Sequence, residues 1–192
     1  MKRILALLLT LLVASNAVRA GDAAALKAGV FDPPRMAPDF TLPGSNGSPL
    51  KLSAYRGKAV LLGFGFSACV AVCPVTLATL KQVNKKLGLQ ASELQVIYVT
   101  VDPQRDSAAQ MKKYLAAFDP SFIGGTGSQA QLAAVRRQYG IAASPLAGPD
   151  GSYTHSSFIY LIDRRGRLRA LMPFGRGSDD YVHDVRILLA SP

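Results

Sequence analysis

Two near-continuous apolar runs, Lys58–Phe66 (KAVLLGFGF) and Leu94–Val101 (LQVIYVTV), stand on either side of an amphipathic stretch. Runs of this kind read as strands buried on both faces, and such strands need helices to cover them. The stretch between them begins a helix near Cys73-Pro74, since proline is tolerated in a first helical turn. It continues through Leu77, Leu80, Val83 and Leu87 at helical spacing and stops at Gly88. Further along, Asp106 or Ser107 caps a helix running to about Ala117, 122–124 is a short strand, and Ser128 caps a helix ending at Tyr139-Gly140. Strands at 156–163 and 167–171 flank the Arg165-Gly166 turn, and 179–189 is a last amphipathic helix. Asp39–Leu42 and Leu50–Leu52, joined by the turn cluster 43–48, add an N-terminal hairpin. Strands alternating with helices, then a hairpin and a helix, predict an α/β/α sandwich around a central mixed sheet.

The N-terminus has the layout of a secretory signal peptide. Lys2 and Arg3 precede an apolar run from Ile4 to Ala14, and Val18-Arg19-Ala20 offers a cleavage site. The apolar run is well short of the roughly 20 residues that a membrane-spanning helix needs. No cysteine lies near the cleavage site, so a lipid anchor is not expected. The expected organisation is a signal at 1–20, a tail at 21–36 and one domain at 37–192, soluble in the periplasm; anchoring of the N-terminal segment to the inner membrane is the alternative. Loss of Lys2, Arg3 and Arg19 lowers the formal net charge from +10 to about +7. An exported protein has no call for nucleic acid, and the densest basic run, Arg164–Arg169, reads as a solvated turn.

Two cysteines, Cys69 and Cys73, sit where the first buried strand gives way to its helix. The positive end of a helix dipole favours the thiolate, the form that attacks disulfides and binds metals. Spaced by four, the two sulfurs can share one soft ion or oxidise to each other if the loop adjusts. A bridge closing so short a loop is a poor structural staple. Redox work and metal work both remain open on the cysteines alone, and a third ligand would decide between them. His155 stands in a turn ahead of the strand beginning at Ser156, on a loop expected against the cysteine helix. Two thiolates and an imidazole suit copper, and zinc less closely for want of a fourth ligand. His183 reads as a solvent-facing helix residue beside a carboxylate, and Met36, Met111 and Met172 as core or surface filler.

Three separated motifs carry a resemblance. They are Phe64-Gly65-Phe66-Ser67 leading to Cys69-x-x-x-Cys73-Pro74, Val99-Thr100-Val101-Asp102-Pro103-Gln104-Arg105-Asp106, and His155-Ser156-Ser157-Phe158-Ile159-Tyr160-Leu161-Ile162-Asp163. From about Ala37 to Leu189 the chain resembles the SCO/SenC family of copper chaperones, whose fold is thioredoxin-like. The resemblance implies copper ligands at Cys69, Cys73 and His155, with Asp102 near the metal-binding loops. It implies delivery of Cu(I), or Cu(II), to the copper-centre subunit of cytochrome c oxidase. A periplasmic copper donor, and a thiol reductant if Cys69 and Cys73 also act as a redox pair, complete the expected partners. The chain departs from the family in lacking Pro and Asp between the cysteines and in having Thr154 before the histidine. Both changes remove acidic groups beside the site, which disfavours Cu(II) more than Cu(I).

The competing reading is a thiol–disulfide oxidoreductase without stable metal binding. Such enzymes carry a cis-proline where this chain has Ser157. A thiol peroxidase would place a threonine where Phe66 stands.

Overall fold

The computed structural model describes residues 25–145 and 153–191; the expected signal peptide at 1–20 lies outside them. The strands β1 (Gly29–Met36), β2 (Thr41–Pro43), β3 (Pro49–Lys51), β4 (Ala59–Gly65), β5 (Leu94–Thr100), β6 (Ile123–Gly125), β7 (Ala143–Pro145), β8 (Tyr153–His155), β9 (Ile159–Ile162) and β10 (Arg167–Met172) alternate with four helices. The helices are α1 (Val72–Leu87), α2 (Ala108–Ala116), α3 (Gln129–Tyr139) and α4 (Ser178–Ala190). Six strands form one mixed sheet in the order β1-β10-β9-β4-β5-β6, the expected thioredoxin-like arrangement. β4 and β5 pair in parallel at its centre, and every residue of both is buried. Their apolar runs therefore mean what their composition says: neither strand has a solvent face.

α1 buries Cys73, Leu77, Leu80, Val83 and Leu87, the stripe that its spacing predicts, and packs against α4. Truncating Leu80, which is wholly inaccessible, to alanine costs about 2–5 kcal/mol by the general cost of core cavities. Ser128 caps α3 in a complete capping box with Gln131. The basic run is tied down locally, Arg167 and Arg169 both reaching the buried carboxylate of Asp163.

Two expectations need correction. Residues 21–36 were expected to be a tail, yet Gly29–Met36 is an edge strand, antiparallel to β10. Ahead of it the amides of Lys27 and Ala28 donate to buried Asp184 at 2.7 and 2.9 Å. The prolines at 33 and 34 hide the strand from pattern reading, because proline has no N–H for the ladder. The pairing shifts register between Val30 and Arg35, and an irregular edge tolerates them. The second correction concerns His155, expected in a turn. It lies in β8, opposite Ala143 of β7. The turn residues 150–152 lie outside the described residues.

Candidate metal centre

Strand β4 delivers the chain to the site with no freedom to spare. Gly63 and Gly65 are the gaps in its apolar run because the Tyr98 ring of β5 lies across them. A Cβ on Gly63 would meet that ring at 2.7 Å, and one on Gly65 would run into the Tyr98 hydroxyl. Beyond Gly65 the chain passes through Phe66 and Ser67 to Cys69, which is half-buried, and enters α1. Cys73 is wholly buried in the first turn of that helix.

No side-chain oxygen caps α1 at Ala71. The Cys69 sulfur takes that role, accepting from the Cys73 amide at 3.4 Å. Burial pushes the Cys69 thiol up, but the amides of Cys73, Ala71 and Val72 outweigh it and hold the thiol below its ordinary value. Cys73 is the opposite. Burial pushes it up to about 12, against the Tyr98 hydroxyl, which donates towards its sulfur. One thiol is poised to ionise, and the other keeps its proton until a cation displaces it.

His155 completes the cluster. Its Nδ1 is 3.0 Å from the Ser156 carbonyl oxygen, which assigns the ring proton to Nδ1. The Nε2 lone pair then faces the Cys73 sulfur at 3.6 Å. The ring packs edge-on against Phe66, 5.9 Å between centroids, and Tyr153 packs on the same Phe66 ring at 5.7 Å. The ligating atoms of Cys69, Cys73 and His155 all lie within 4.8 Å of one another. Two sulfurs and one imidazole, with no fourth such donor in the cluster among the described residues, favour a soft, low-coordinate ion over tetrahedral zinc. Both cysteines are free thiols in this arrangement.

The cluster opens on a depression of about 460 Å³ whose wall includes Val70, Arg105, Thr154 and Ser157. Asp102 is buried and holds Arg105 in an ion pair, and the Arg105 guanidinium sits 5.7 Å from the Phe66 ring centre. His183 is elsewhere, on α4 against Asp184, and Met111 and Met172 are core residues. Sequence reasoning missed Phe66, Tyr153 and Tyr98 as the packing that fixes the ligands. The one available signal was the pair of glycines in an otherwise bulky buried strand.

A family model described as SCO1/SenC matches residues 30–190. The chain is 36% identical over 160 residues to the mitochondrial SCO2 homologue of Mus musculus, a match that takes in 80% of this chain and 62% of that protein. The chain thus spans under two thirds of that relative's length. Among solved structures, Bradyrhizobium japonicum ScoI with copper bound superposes with a TM-score of 0.74 at 34% identity, covering 80% of this chain and 99% of that one. Apo Sco1 from Thermus thermophilus gives a TM-score of 0.75 at 35% identity, covering 86% and 98%.

Proposed function

The chain belongs to the SCO1/SenC family, and on that footing we propose that it carries one copper ion, as Cu(I), on Cys69, Cys73 and His155 and passes it to the copper-centre subunit of cytochrome c oxidase. The observation that carries this reading is the convergence of those three donor atoms within 4.8 Å beneath a surface depression. Soft sulfur ligands select Cu(I), and the absence of a carboxylate at position 154 gives a harder ion nothing extra to hold. The N-terminal segment 1–20 exports the domain to the periplasm, where a copper donor loads it.

Transfer to a protein, rather than to a small molecule, fits the rim of the site. Val70 between the cysteines is 95% exposed, and Phe158 is exposed just after His155. Exposed Val75 and Phe174 line a neighbouring groove that shares Ser157 with the copper depression. Exposed apolar side chains on and beside the depression favour a protein contact there.

The same sulfurs allow a second step. Cys69 and Cys73 can give two electrons and two protons to a client disulfide, becoming a disulfide themselves and leaving the client as two thiols. A thiol reductant must then restore the pair. Copper and disulfide are mutually exclusive, since the disulfide leaves only an imidazole.

The test is a competition titration of the reduced protein against a Cu(I) chelator. One Cu(I) per chain is expected. Sharing the roughly 10–16 kcal/mol of a four-ligand structural metal site equally puts one ligand at about 3 kcal/mol, so His155→Ala, Cys69→Ser and Cys73→Ser should each lose on the order of a hundredfold. Wild-type affinity in His155→Ala defeats the three-ligand site and favours the oxidoreductase.

A further inference from the structure

Of the three donors, Cys69 alone lies outside regular structure. Cys73 is fixed by α1 and His155 by β8, whereas Cys69 sits in the loop between β4 and the helix. Something else must hold that loop, and the strongest attachment in it is two residues upstream. The Ser67 amide donates to the Asp106 carboxylate at 3.0 and 3.3 Å, and the Ser67 hydroxyl donates to it as well. Asp106 is completely buried. Its second oxygen also accepts from the Thr100 hydroxyl at the end of β5, and its own amide and carbonyl are taken by the Asp102 carbonyl and the Thr126 hydroxyl. Gln110 of α2 adds a weaker contact to the Ser67 hydroxyl at 3.4 Å.

This disposition is not that of a helix cap. Ser107 caps α2, its hydroxyl accepting from the Gln110 amide, so the Asp106 side chain is free of that duty. A buried carboxylate is costly unless each lone pair is met, and this one spends its acceptors on a loop 39 residues away in sequence. The link joins the first motif to the second.

We propose that Asp106 is a positioning residue that clamps the Cys69 loop through Ser67, holding the two sulfurs apart as a metal-ready dithiol rather than a disulfide. The inference rests on the copper reading for its purpose but not for its geometry. A disulfide requires the sulfurs to close to about 2.05 Å, which the buried Cys73 cannot do by itself. The movement must come from Cys69, and the clamp resists it. Holding the loop in place also lowers the ordering cost of capturing an ion.

The test compares wild type, Ser67→Ala, Asp106→Asn and Ser67→Thr in two assays. In the first, Cu(I) affinity is read by chelator competition. Outer partners of metal ligands are worth about 10–100-fold, so Ser67→Ala and Asp106→Asn should each weaken binding at least about tenfold, and Ser67→Thr, which keeps the hydroxyl, should remain near wild type. In the second, without metal, the pair is equilibrated against a dithiothreitol couple. There Cys69–SH and Cys73–SH become a disulfide as the reagent's disulfide becomes two thiols. The clamp variants should favour the protein disulfide about tenfold more, a midpoint about 30 mV more negative. Melting temperatures measured alongside identify general damage. Variants that melt early yet keep wild-type affinity and potential overturn the proposal. A potential shift in a protein whose wild type binds no Cu(I) upholds the clamp and removes the copper reading instead.

Discussion

The two regions that meet at the metal centre are held in different ways. The β4–α1 unit lies in the middle of the core, with every β4 residue and the inner face of α1 buried. The β7–β8 hairpin is a separate two-stranded sheet outside the six-stranded one. The Ser156 amide on the Ala142 carbonyl and the Ala142 amide on the Ser156 hydroxyl close its base, and it meets the body through the ring contacts of Tyr153 and His155 with Phe66. The cysteines are thus placed by the core, and the histidine by a small hairpin that meets the core at Phe66. Metal affinity and fold stability should therefore separate: damage to the hairpin contact touches the first far more than the second.

The sharpest expected contrast lies within the core region itself. Cys69 is half-buried with its thiol held below the ordinary value, and Cys73 is inaccessible and pushed up to about 12. Around pH 8 Cys69 is the more ionised and the more accessible of the two, and the higher nucleophilicity of the more basic thiolate returns only part of that difference. Iodoacetamide should then label Cys69 at least about tenfold faster than Cys73. As the pH rises, labelling of Cys69 should reach its plateau first, because a lowered value means the thiolate is present below the usual midpoint. Peptide mass spectrometry reads both rates, and equal rates would show that the β4–α1 unit does not hold its cysteines unequally.

Phe66 is where the two regions can be cut apart. Phe66→Ala removes a side chain 3% exposed and should cost about 3–5 kcal/mol of stability, along with about tenfold in Cu(I) affinity. Phe66→Leu refills most of the volume and should cost under about 1.5 kcal/mol, while still losing the ring contacts to His155. Weak copper binding in a thermally near-normal Phe66→Leu protein is the expected signature. If Phe66→Leu binds copper as tightly as wild type, the hairpin is anchored by something other than Phe66.

The smallest effect belongs to Tyr98→Phe. The ring stays over Gly63 and Gly65, and only the hydroxyl that donates towards Cys73 is lost. A hydrogen bond contributes about 1 kcal/mol, so Cu(I) affinity should change about fivefold with the melting temperature little altered. A collapse of the fold in Tyr98→Phe would show that the hydroxyl serves the core and not the cysteine.

Most of the fold was legible because its signals are local. The apolar runs of β4 and β5 and the leucine stripe of α1 each declare their element within a dozen residues. The Ser128 cap with Gln131 does the same for α3. β1 was not legible, because its pairing with β10 is a contact between distant segments and Pro33-Pro34 masks it. β8 was missed for a similar reason. Tyr153-Thr154-His155 is too short to show an alternation, and only its partner Ala143–Pro145 makes it a strand.

The sequence by itself placed Cys69 and Cys73 at the junction of a buried strand and its helix, since an apolar run passes there into a Cys-Pro first turn and a leucine stripe. It also named His155 as the candidate third ligand. What tertiary structure alone decided is the geometry among them. His155 comes within 3.6 Å of a sulfur 82 residues away, and its ring is turned by the Ser156 carbonyl. Asp106 and Ser107 read alike as caps in sequence, yet one starts α2 and the other reaches back to Ser67. The physical reason is the range of the interactions. Propensity and periodicity act within a turn or a strand, whereas these hydrogen bonds and ring contacts exist only once the core has brought the segments together.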